Sequence, residues 1–198
     1  MLSVVLAAWS CGPEPATPPD GGAQTAPTDR GEGGADGADP TPAEPGPPAP
    51  GSEVEVPALH PEIDGLPTTA VWLESAAGQV EVAALVASDD PSRRRGLMEV
   101  EDLPDGVGML FLFSQERTSG FWMWNTRVPL DIGFVAADGT LHTIATMEPC
   151  EAEQPADCPI TAPDLPYVTA LEVPAGWFAR AGVEPGADVT WSDPTPRP

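Results

Sequence analysis

Two tryptophans on one predicted strand face, followed by hydrogen-bonding side chains, are the first candidate for a ligand site. Residues 121–124 are predicted to form a strand, and the alternation of side chains places Trp122 and Trp124 on the same face. Asn125 and Thr126 follow directly, and both side chains can bond hydroxyl groups. The pattern resembles a platform that stacks a sugar or another flat ligand, although a strand this apolar is more often simply buried.

A run of three arginines supplies the second candidate. The chain has eight basic residues, all of them Arg, against 31 Asp and Glu, and three of the eight are Arg93, Arg94 and Arg95. The planar guanidinium of Arg95 would suit a carboxylate or phosphate on a ligand. The alternative is an internal ion pair, for which Glu99, Asp131 and Glu172 are available.

Two carboxylic acids, Asp131 and Glu172, are candidates for ligand binding or acid–base chemistry. Asp131 begins one predicted strand and Glu172 lies within another. A pair of carboxyls can hydrolyse a glycoside when they lie ~5 Å or ~6.5–9.5 Å apart. Pairing with arginine or capping of a turn would give both a structural role instead, so no catalytic residue is assigned.

The sequence predicts no metal site and no cofactor. His60 and His142 are isolated, and Cys150 and Cys158 are separated by seven residues without a CxxC motif. The methionines lack the tight spacing of a copper site. Because Gly-rich phosphate loops, Gly-x-Ser-x-Gly elbows and His-Glu-x-x-His motifs are also missing, kinase, hydrolase and metalloprotease classes have no positive support.

The N-terminal segment indicates export and lipid anchoring. Residues 1–10 are apolar and are predicted to be a signal peptide, and the sequence Ala8-Trp9-Ser10-Cys11 resembles the lipobox of bacterial lipoproteins, in which Cys11 is acylated. No basic residue precedes the apolar stretch, which suggests that the signal is truncated at its start. The alternative is an ordinary disordered N-terminus with a free thiol. We expect a cell-envelope protein that is anchored in a membrane through Cys11. Because Gly12 follows the cysteine, the resemblance to lipoproteins of this kind suggests the outer membrane.

The other two cysteines are expected to form a local disulfide. If Cys11 carries lipid, Cys150 and Cys158 are the thiols that remain in an oxidising compartment. A redox-active pair would need CxxC spacing and an adjacent base, so we predict a structural staple of the intervening acidic loop.

Composition separates a linker from a folded domain. Residues 11–68 are rich in Pro, Gly and acids, lack aromatic residues, and are predicted to be a disordered, extended linker.

The net charge of −23 excludes nucleic-acid binding through a basic patch. No run approaches the ~18 apolar residues that span a bilayer.

Residues 69–192 are predicted to form one all-β domain of sandwich or barrel type, and residues 193–198 a frayed tail. Short β-rich runs recur along this region, and Asp138-Gly139 predicts a tight hairpin turn. Only one or two short helices are predicted, one of them capped by Asp89 or Asp90. Many short strands with few helices indicate a mainly β fold.

A series of short motifs follows in order along the predicted domain. The motifs are Arg95-Gly96-Leu97-Met98, Gly108-Met109-Leu110-Phe111, Phe121-Trp122-Met123-Trp124-Asn125-Thr126, Pro129-Leu130-Asp131, Asp138-Gly139, Pro149-Cys150, Leu171-Glu172 and Ala175-Gly176. Over roughly residues 71–189 this series resembles the DUF192 family, a domain family of unknown function. The resemblance implies a compact, β-rich and frequently exported domain, and it implies no reaction, because that family has no established activity.

The function predicted from the sequence is a non-enzymatic binding module for a polar, carbohydrate-like ligand. One alternative is a glycan-acting enzyme that uses Asp131 and Glu172, and another is a structural or protein-interaction domain. The candidate ligand-binding residues are Arg95, Trp122, Trp124, Asn125, Thr126, Asp131 and Glu172.

Overall fold

Nine strands and two short α-helices make up residues 55–197, the part of the chain that the computed structural model describes. The elements are β1 (Thr68–Ser75), β2 (Gly78–Ala87), α1 (Asp90–Arg95), β3 (Val107–Arg117), β4 (Phe121–Trp122), β5 (Leu130–Val135), β6 (Leu141–Met147), β7 (Ile160–Thr161), β8 (Tyr167–Pro174), α2 (Trp177–Arg180) and β9 (Asp188–Trp191). The same region contains one 3₁₀ turn, at Pro155–Asp157 between β6 and β7.

Seven of the strands form one sheet in the order β6-β5-β8-β3-β2-β1-β9, and β4 pairs with β7 separately. All neighbouring strands are antiparallel except β2 and β3, which are parallel and are joined by the crossover that contains α1. The sheet curls until its two edges meet. Leu141 N donates to Ala187 O at 2.9 Å, and Val189 N donates to Gly139 O at 2.9 Å. The mainly β fold with barrel-like curvature is therefore confirmed.

Each face of the sheet carries its own hydrophobic cluster. Strand β3 shows this directly, since residues 107–111 are all buried and successive side chains point to opposite faces. Met109 and Phe111 belong to one cluster with loop residues such as Leu97 and Val100. Leu110 belongs to the other, which includes Trp177 and Phe178 of α2. The apolar run on both faces of β3 thus has the two-sided cover that its sequence predicts.

The local signals of hairpins and caps are confirmed. Strands β1 and β2 pair in register from Thr68–Leu85 to Ser75–Gly78, and β5 and β6 flank the Asp138-Gly139 turn. Helix α1 begins after Asp89, whose carboxylate accepts from Ser92 N at 2.8 Å, while Ser92 Oγ lies 3.3 Å from Asp89 N. This reciprocal capping box lets so short a helix form.

The folded unit extends beyond both predicted boundaries. Within the stretch expected to be linker, Val56 and Ile63 are buried in the cluster that contains Met109. Within the expected tail, Thr195 exchanges two backbone hydrogen bonds with Thr68, at 2.9 and 2.8 Å. The few aliphatic residues of this stretch are enough to bring it into the fold, because the sheet provides an apolar surface on which Val56 and Ile63 are buried. Cys11, the predicted signal peptide and the predicted linker up to residue 54 lie outside the described residues, as does Pro198.

None of the helices within residues 55–197 is both long enough and apolar enough to cross a bilayer.

Candidate functional site

A cavity of about 400 Å³ opens where α1, the end of β3 and the β4 segment meet. It brings together residues that are distant in sequence. Four of the seven candidate ligand-binding residues line it, namely Arg95, Trp122, Thr126 and Glu172. The other three, Trp124, Asn125 and Asp131, do not.

Four of the eight basic residues of the chain line this one cavity. Arg93 donates to Leu112 O at 2.9 Å and pairs with Asp90 at 2.5 Å. Arg95 is held by two glutamates: its Nε lies 2.9 Å from Glu62 Oε2, without hydrogen-bond geometry, and its Nη1 donates to Glu99 Oε2 at 3.1 Å. The internal ion pair that the sequence allowed for Arg95 therefore exists, but Glu62 and Glu99 form it rather than Glu172.

The remaining two cavity arginines, Arg94 and Arg117, are exposed and form no ion pair within residues 55–197. Arg94 Nε makes a long 3.3 Å bond to the carbonyl of Asp90. The guanidinium carbon of Arg117 lies 5.5 Å from the centre of the Phe113 ring. Both guanidinium groups are therefore available to an anion that enters the cavity.

Aromatic rings form the wall of the cavity. Phe121 packs edge-on against Phe111 with centroids 5.0 Å apart, and Phe113 packs edge-on against Tyr167 at 5.5 Å. The Tyr167 hydroxyl donates to Ser119 O at 2.7 Å, and burial raises the pKa of that phenol. Trp122 is 41% exposed at the opening. The four lining arginines, here called the arginine rim, together with the aromatic wall are suited to bind an anion that carries an apolar body.

Two residues with left-handed backbone hold the arginine segment against the β4 segment. Helix α1 ends at Gly96, and the chain then turns through Glu99, which has φ 62°. Glu99 N donates to Asn125 O at 2.8 Å, and Asn125 itself has φ 55°. Asn is among the non-glycine residues that tolerate this conformation best. Asn125 therefore positions the cavity through its backbone, instead of lining it with its amide.

The tryptophan platform is a correction to the sequence-based prediction. Strand β4 ends at Trp122, so the two indoles do not continue along one strand face. Trp124 turns to the disulfide loop, where its Nε1 donates to Ala152 O at 3.0 Å. Of the two indoles, only that of Trp122 lines the cavity.

The carboxyl pair is a second correction, because Asp131 and Glu172 lie on opposite faces of the sheet. In the register of β5 with β8, Glu172 is opposite Ile132 and Asp131 is opposite Val173. Cross-strand partners share a face and consecutive residues do not. The two carboxyls therefore cannot flank one glycosidic bond.

Asp131 has a structural role. Its Oδ1 accepts from Thr146 Oγ1 at 2.7 Å and its Oδ2 accepts from Gly176 N at 2.8 Å, so both oxygens are occupied. The bond to Gly176 anchors the turn that precedes α2. The turn-capping alternative considered for this residue is the correct one.

Glu172 has the opposite environment. It is 4% exposed and lines the cavity, and its carboxyl makes no hydrogen bond or ion pair with residues 55–197. Burial raises the pKa of this carboxyl from 4.5 to about 8. The charged form is disfavoured because no positive group or donor compensates for the lost water. At neutral pH Glu172 is therefore a neutral acid at the floor of the cavity.

The predicted disulfide between Cys150 and Cys158 is present. It supports the cavity indirectly. The backbones of Trp124 and Cys150 form an isolated β-bridge, and β7, which follows Cys158, pairs with β4. No cluster of three or more potential metal ligands occurs in the part of the chain that the structure describes.

Among the cavity residues that sequence reasoning missed are Phe113, Arg117 and Tyr167. Arg117 could have been noted from the scarcity of bases, as the arginines at 93–95 were. The aromatic pair gave no local signal, because Phe113 and Tyr167 meet only through the pairing of β3 with β8.

The comparisons with known proteins agree with this architecture. The model of the DUF192 family, described as an uncharacterized ACR, matches residues 72–191. A candidate transcription regulator from Sinorhizobium meliloti 1021 is similar, with a TM-score of 0.57 and 33% identity over 64% of this chain and 95% of that one. A protein of unknown function from Novosphingobium aromaticivorans DSM 12444 has a TM-score of 0.59 and 34% identity over 70% of this chain and 95% of its own. No curated protein matches.

Proposed function

The chain belongs to the DUF192 family, and we propose that it is a non-enzymatic binding module whose cavity takes a small organic anion with a flat or apolar body. One observation carries the proposal. In a chain of net charge −23, half of the eight basic residues surround a single cavity with an aromatic wall. An acidic protein attracts anions poorly over its surface as a whole, so this local concentration of guanidinium groups has a recognition role.

Arg94 and Arg117 are the proposed anion ligands. Their guanidinium groups lack carboxylate partners within residues 55–197 and are exposed at the rim, whereas Arg93 and Arg95 are already paired. A planar guanidinium binds a carboxylate, sulfonate or phosphate through two parallel bonds. The anion would therefore sit at the rim and the apolar body would extend along the aromatic wall.

Of the carbohydrate ligands predicted from the sequence, we retain only sugar acids. Trp122 at the rim can stack on a sugar face, and a sugar acid would also satisfy the arginines. A neutral sugar would leave the arginines unused. Enzymatic hydrolysis by Asp131 and Glu172 is not proposed, because the two carboxyls lie on opposite faces of the sheet. A purely structural role remains the outcome if no anion binds.

The proposed setting is the cell envelope, with the chain anchored through an acylated Cys11. The Cys150–Cys158 disulfide supports this setting, because such bonds persist mainly in oxidising compartments. Expression of the full gene in a bacterium with labelled fatty acid tests it. The wild-type protein should carry label in the membrane fraction, and Cys11→Ala should lose it. Unlabelled wild-type protein in the cytosolic fraction would contradict the proposal.

Binding of a fluorescent anion to the full chain tests the proposed function. The probe 8-anilinonaphthalene-1-sulfonate has an aromatic body and a permanent charge, and N-phenyl-1-naphthylamine is a neutral analogue. We expect Arg94→Ala/Arg117→Ala to weaken sulfonate binding about tenfold, the equivalent of ~1.4 kcal/mol, and to leave the neutral probe unchanged.

The double variant Arg127→Ala/Arg180→Ala is the matched control, because it removes the same charge from exposed arginines outside the cavity. If both double variants lower sulfonate affinity equally, the effect is one of net charge and the site is wrong. Displacement of the probe by glucuronate but not by glucose would identify a sugar acid as an acceptable ligand.

A further inference from the structure

Glu172 lies at the floor of the cavity, beneath the arginine rim. It is flanked on the same sheet face by Met109 of β3 and Ile132 of β5, neither of which can bond its carboxyl. The residue is 4% exposed and nevertheless contributes to the cavity surface. Because the described residues offer its carboxyl no partner, a molecule that enters the cavity can supply one.

The nearby arginines do not provide that partner within the described part of the chain. Arg95 is bound by Glu62 and Glu99, and Arg93 is bound by Asp90 and the carbonyl of Leu112. Burial alone raises the pKa of Glu172, and no charged neighbour contributes. A protonated carboxyl offers one O–H donor as well as an acceptor, which an ionised carboxylate does not.

We propose that Glu172 is the specificity-determining residue of the cavity, donating its carboxyl proton to a neutral oxygen on the bound anion. The inference rests on the proposed function and deepens it. It defines the ligand class as organic anions that carry a carbonyl, ether or hydroxyl oxygen on the ring in addition to the charged group. Keto-, lactone- and hydroxy-substituted ring acids and sugar acids belong to this class, and simple aryl acids do not.

The same geometry makes binding depend on pH. Ionised Glu172 cannot donate, and its buried charge would repel an anion bound in the same cavity. The other titratable groups that face the cavity are Asp90, Tyr167 and the four arginines. The pKa of Asp90 is lowered by its bond to Arg93, and the pKa of Tyr167 is raised by burial, so both titrate outside the range from neutral pH to pH 9.

His60 also needs a control, because its ring lies 2.9 Å from Arg95 Nη2. A His60→Gln background keeps an acceptor beside Arg95 and removes the imidazole ring. The pH dependence expected from Glu172 should be unchanged in that background.

Two probes of similar shape separate the hydrogen bond from the anion site. Coumarin-3-carboxylate carries a lactone oxygen on its ring, and 2-naphthoate does not. Calorimetric titration of the full chain should show that the wild type prefers coumarin-3-carboxylate at pH 6.5. Its affinity should fall about tenfold between pH 6.5 and pH 9, in proportion to the protonated fraction of Glu172.

Two substitutions of similar size provide the matched variants. Glu172→Gln keeps a donor that does not titrate, so it should keep the preference and lose the pH dependence. Glu172→Met removes the donor, so it should bind both probes equally at every pH. Circular dichroism establishes that each variant is folded.

Titration of the Glu172 carboxyl by carbon-13 NMR in the wild type needs no variant. Coumarin-3-carboxylate should raise the pKa of Glu172 and 2-naphthoate should raise it less. Equal affinity of the wild type for both probes at pH 6.5, or an unchanged preference in Glu172→Met, overturns the inference and leaves the proposed function intact. Failure of both carboxylates and the sulfonate to bind overturns the proposed function as well.

Discussion

Asp131 and Glu172 show how one type of side chain acquires opposite properties from its neighbours. Both are almost fully buried on adjacent strands. Asp131 meets a hydroxyl and a backbone N–H, and the two bonds fix the approach to α2. Glu172 meets Met109 and Ile132, so its carboxyl is driven to the neutral form. The first residue stabilises the fold, and the second is available to a ligand at some cost in stability.

We expect the stability of the wild type to fall as pH rises from about 5 to about 8. In this range the folded chain keeps the Glu172 proton and the unfolded chain has lost it, so unfolding releases a proton. The slope from this residue is at most about 1.4 kcal/mol per pH unit. Glu172→Gln cannot ionise, so the difference in Tm between wild type and variant, measured by circular dichroism, should move steadily in favour of the variant across this range.

Asp131→Asn is the companion measurement, since it changes a buried carboxyl that already has partners. Its amide NH₂ would face a donor, and the free energy of unfolding should drop by about 1–3 kcal/mol at neutral pH.

A stability difference between wild type and Glu172→Gln that does not change between pH 5 and pH 8 would show that Glu172 is ionised in the folded chain.

At the scale of elements, the weakest part of the cavity is the small β4–β7 sheet. Each strand has two residues, and two strands of this length are not stable by themselves. The disulfide at Cys150 and Cys158 holds the loop that leads to β7. It thereby places exposed Ile160 opposite Trp122 at the cavity rim.

Removal of the disulfide should therefore affect both stability and the rim. For Cys150→Ala/Cys158→Ala we expect a loss of about 2–3 kcal/mol in the free energy of unfolding, because closing a short loop lowers the entropy of the unfolded chain. Hydrogen exchange should also accelerate at the backbone N–H groups that join β4 and β7, and stay unchanged in the β1–β2 hairpin. Equal acceleration in both places would mean that the disulfide stabilises the domain without holding the rim.

At the scale of the whole molecule, the two ends of the described chain close the fold together. Residues 55–67 cover one sheet face with Val56 and Ile63, and Arg197 Nη2 donates to Val56 O at 3.0 Å. The same segment reaches the cavity, since Glu62 pairs with Arg95. The segment that resembles a linker in composition is therefore part of the domain and orients one of its arginines.

Ile63→Ala tests this role. Ile63 is fully buried, so we expect its truncation to cost about 2–5 kcal/mol in the free energy of unfolding, measured by urea denaturation. Ile160→Ala removes the same atoms from a residue that is 69% exposed, and it should change stability by less than about 0.5 kcal/mol. Similar effects of the two substitutions would mean that residues 55–67 do not contribute to the core in solution.

The sequence by itself determined the features that depend on neighbouring residues. Alternating apolar side chains specify strands, Asp138-Gly139 specifies a tight turn, and Asp89 with Ser92 specifies the start of α1. The local disulfide and the mainly β class follow from the same kind of short-range information. The motifs around Arg95 and residues 121–126 contain part of the cavity lining for the same reason.

Tertiary structure alone decided which of these residues share an environment. The register of β8 with β5 placed Glu172 and Asp131 on opposite faces, and a shift of one residue would have put both carboxyls on the same face. Strand β4 ended at Trp122 while Trp124 bonded to the disulfide loop, and strand pairing brought Phe113 to Tyr167. Long-range pairing depends on how all the strands bury their apolar faces together, so no single segment of the sequence contains it.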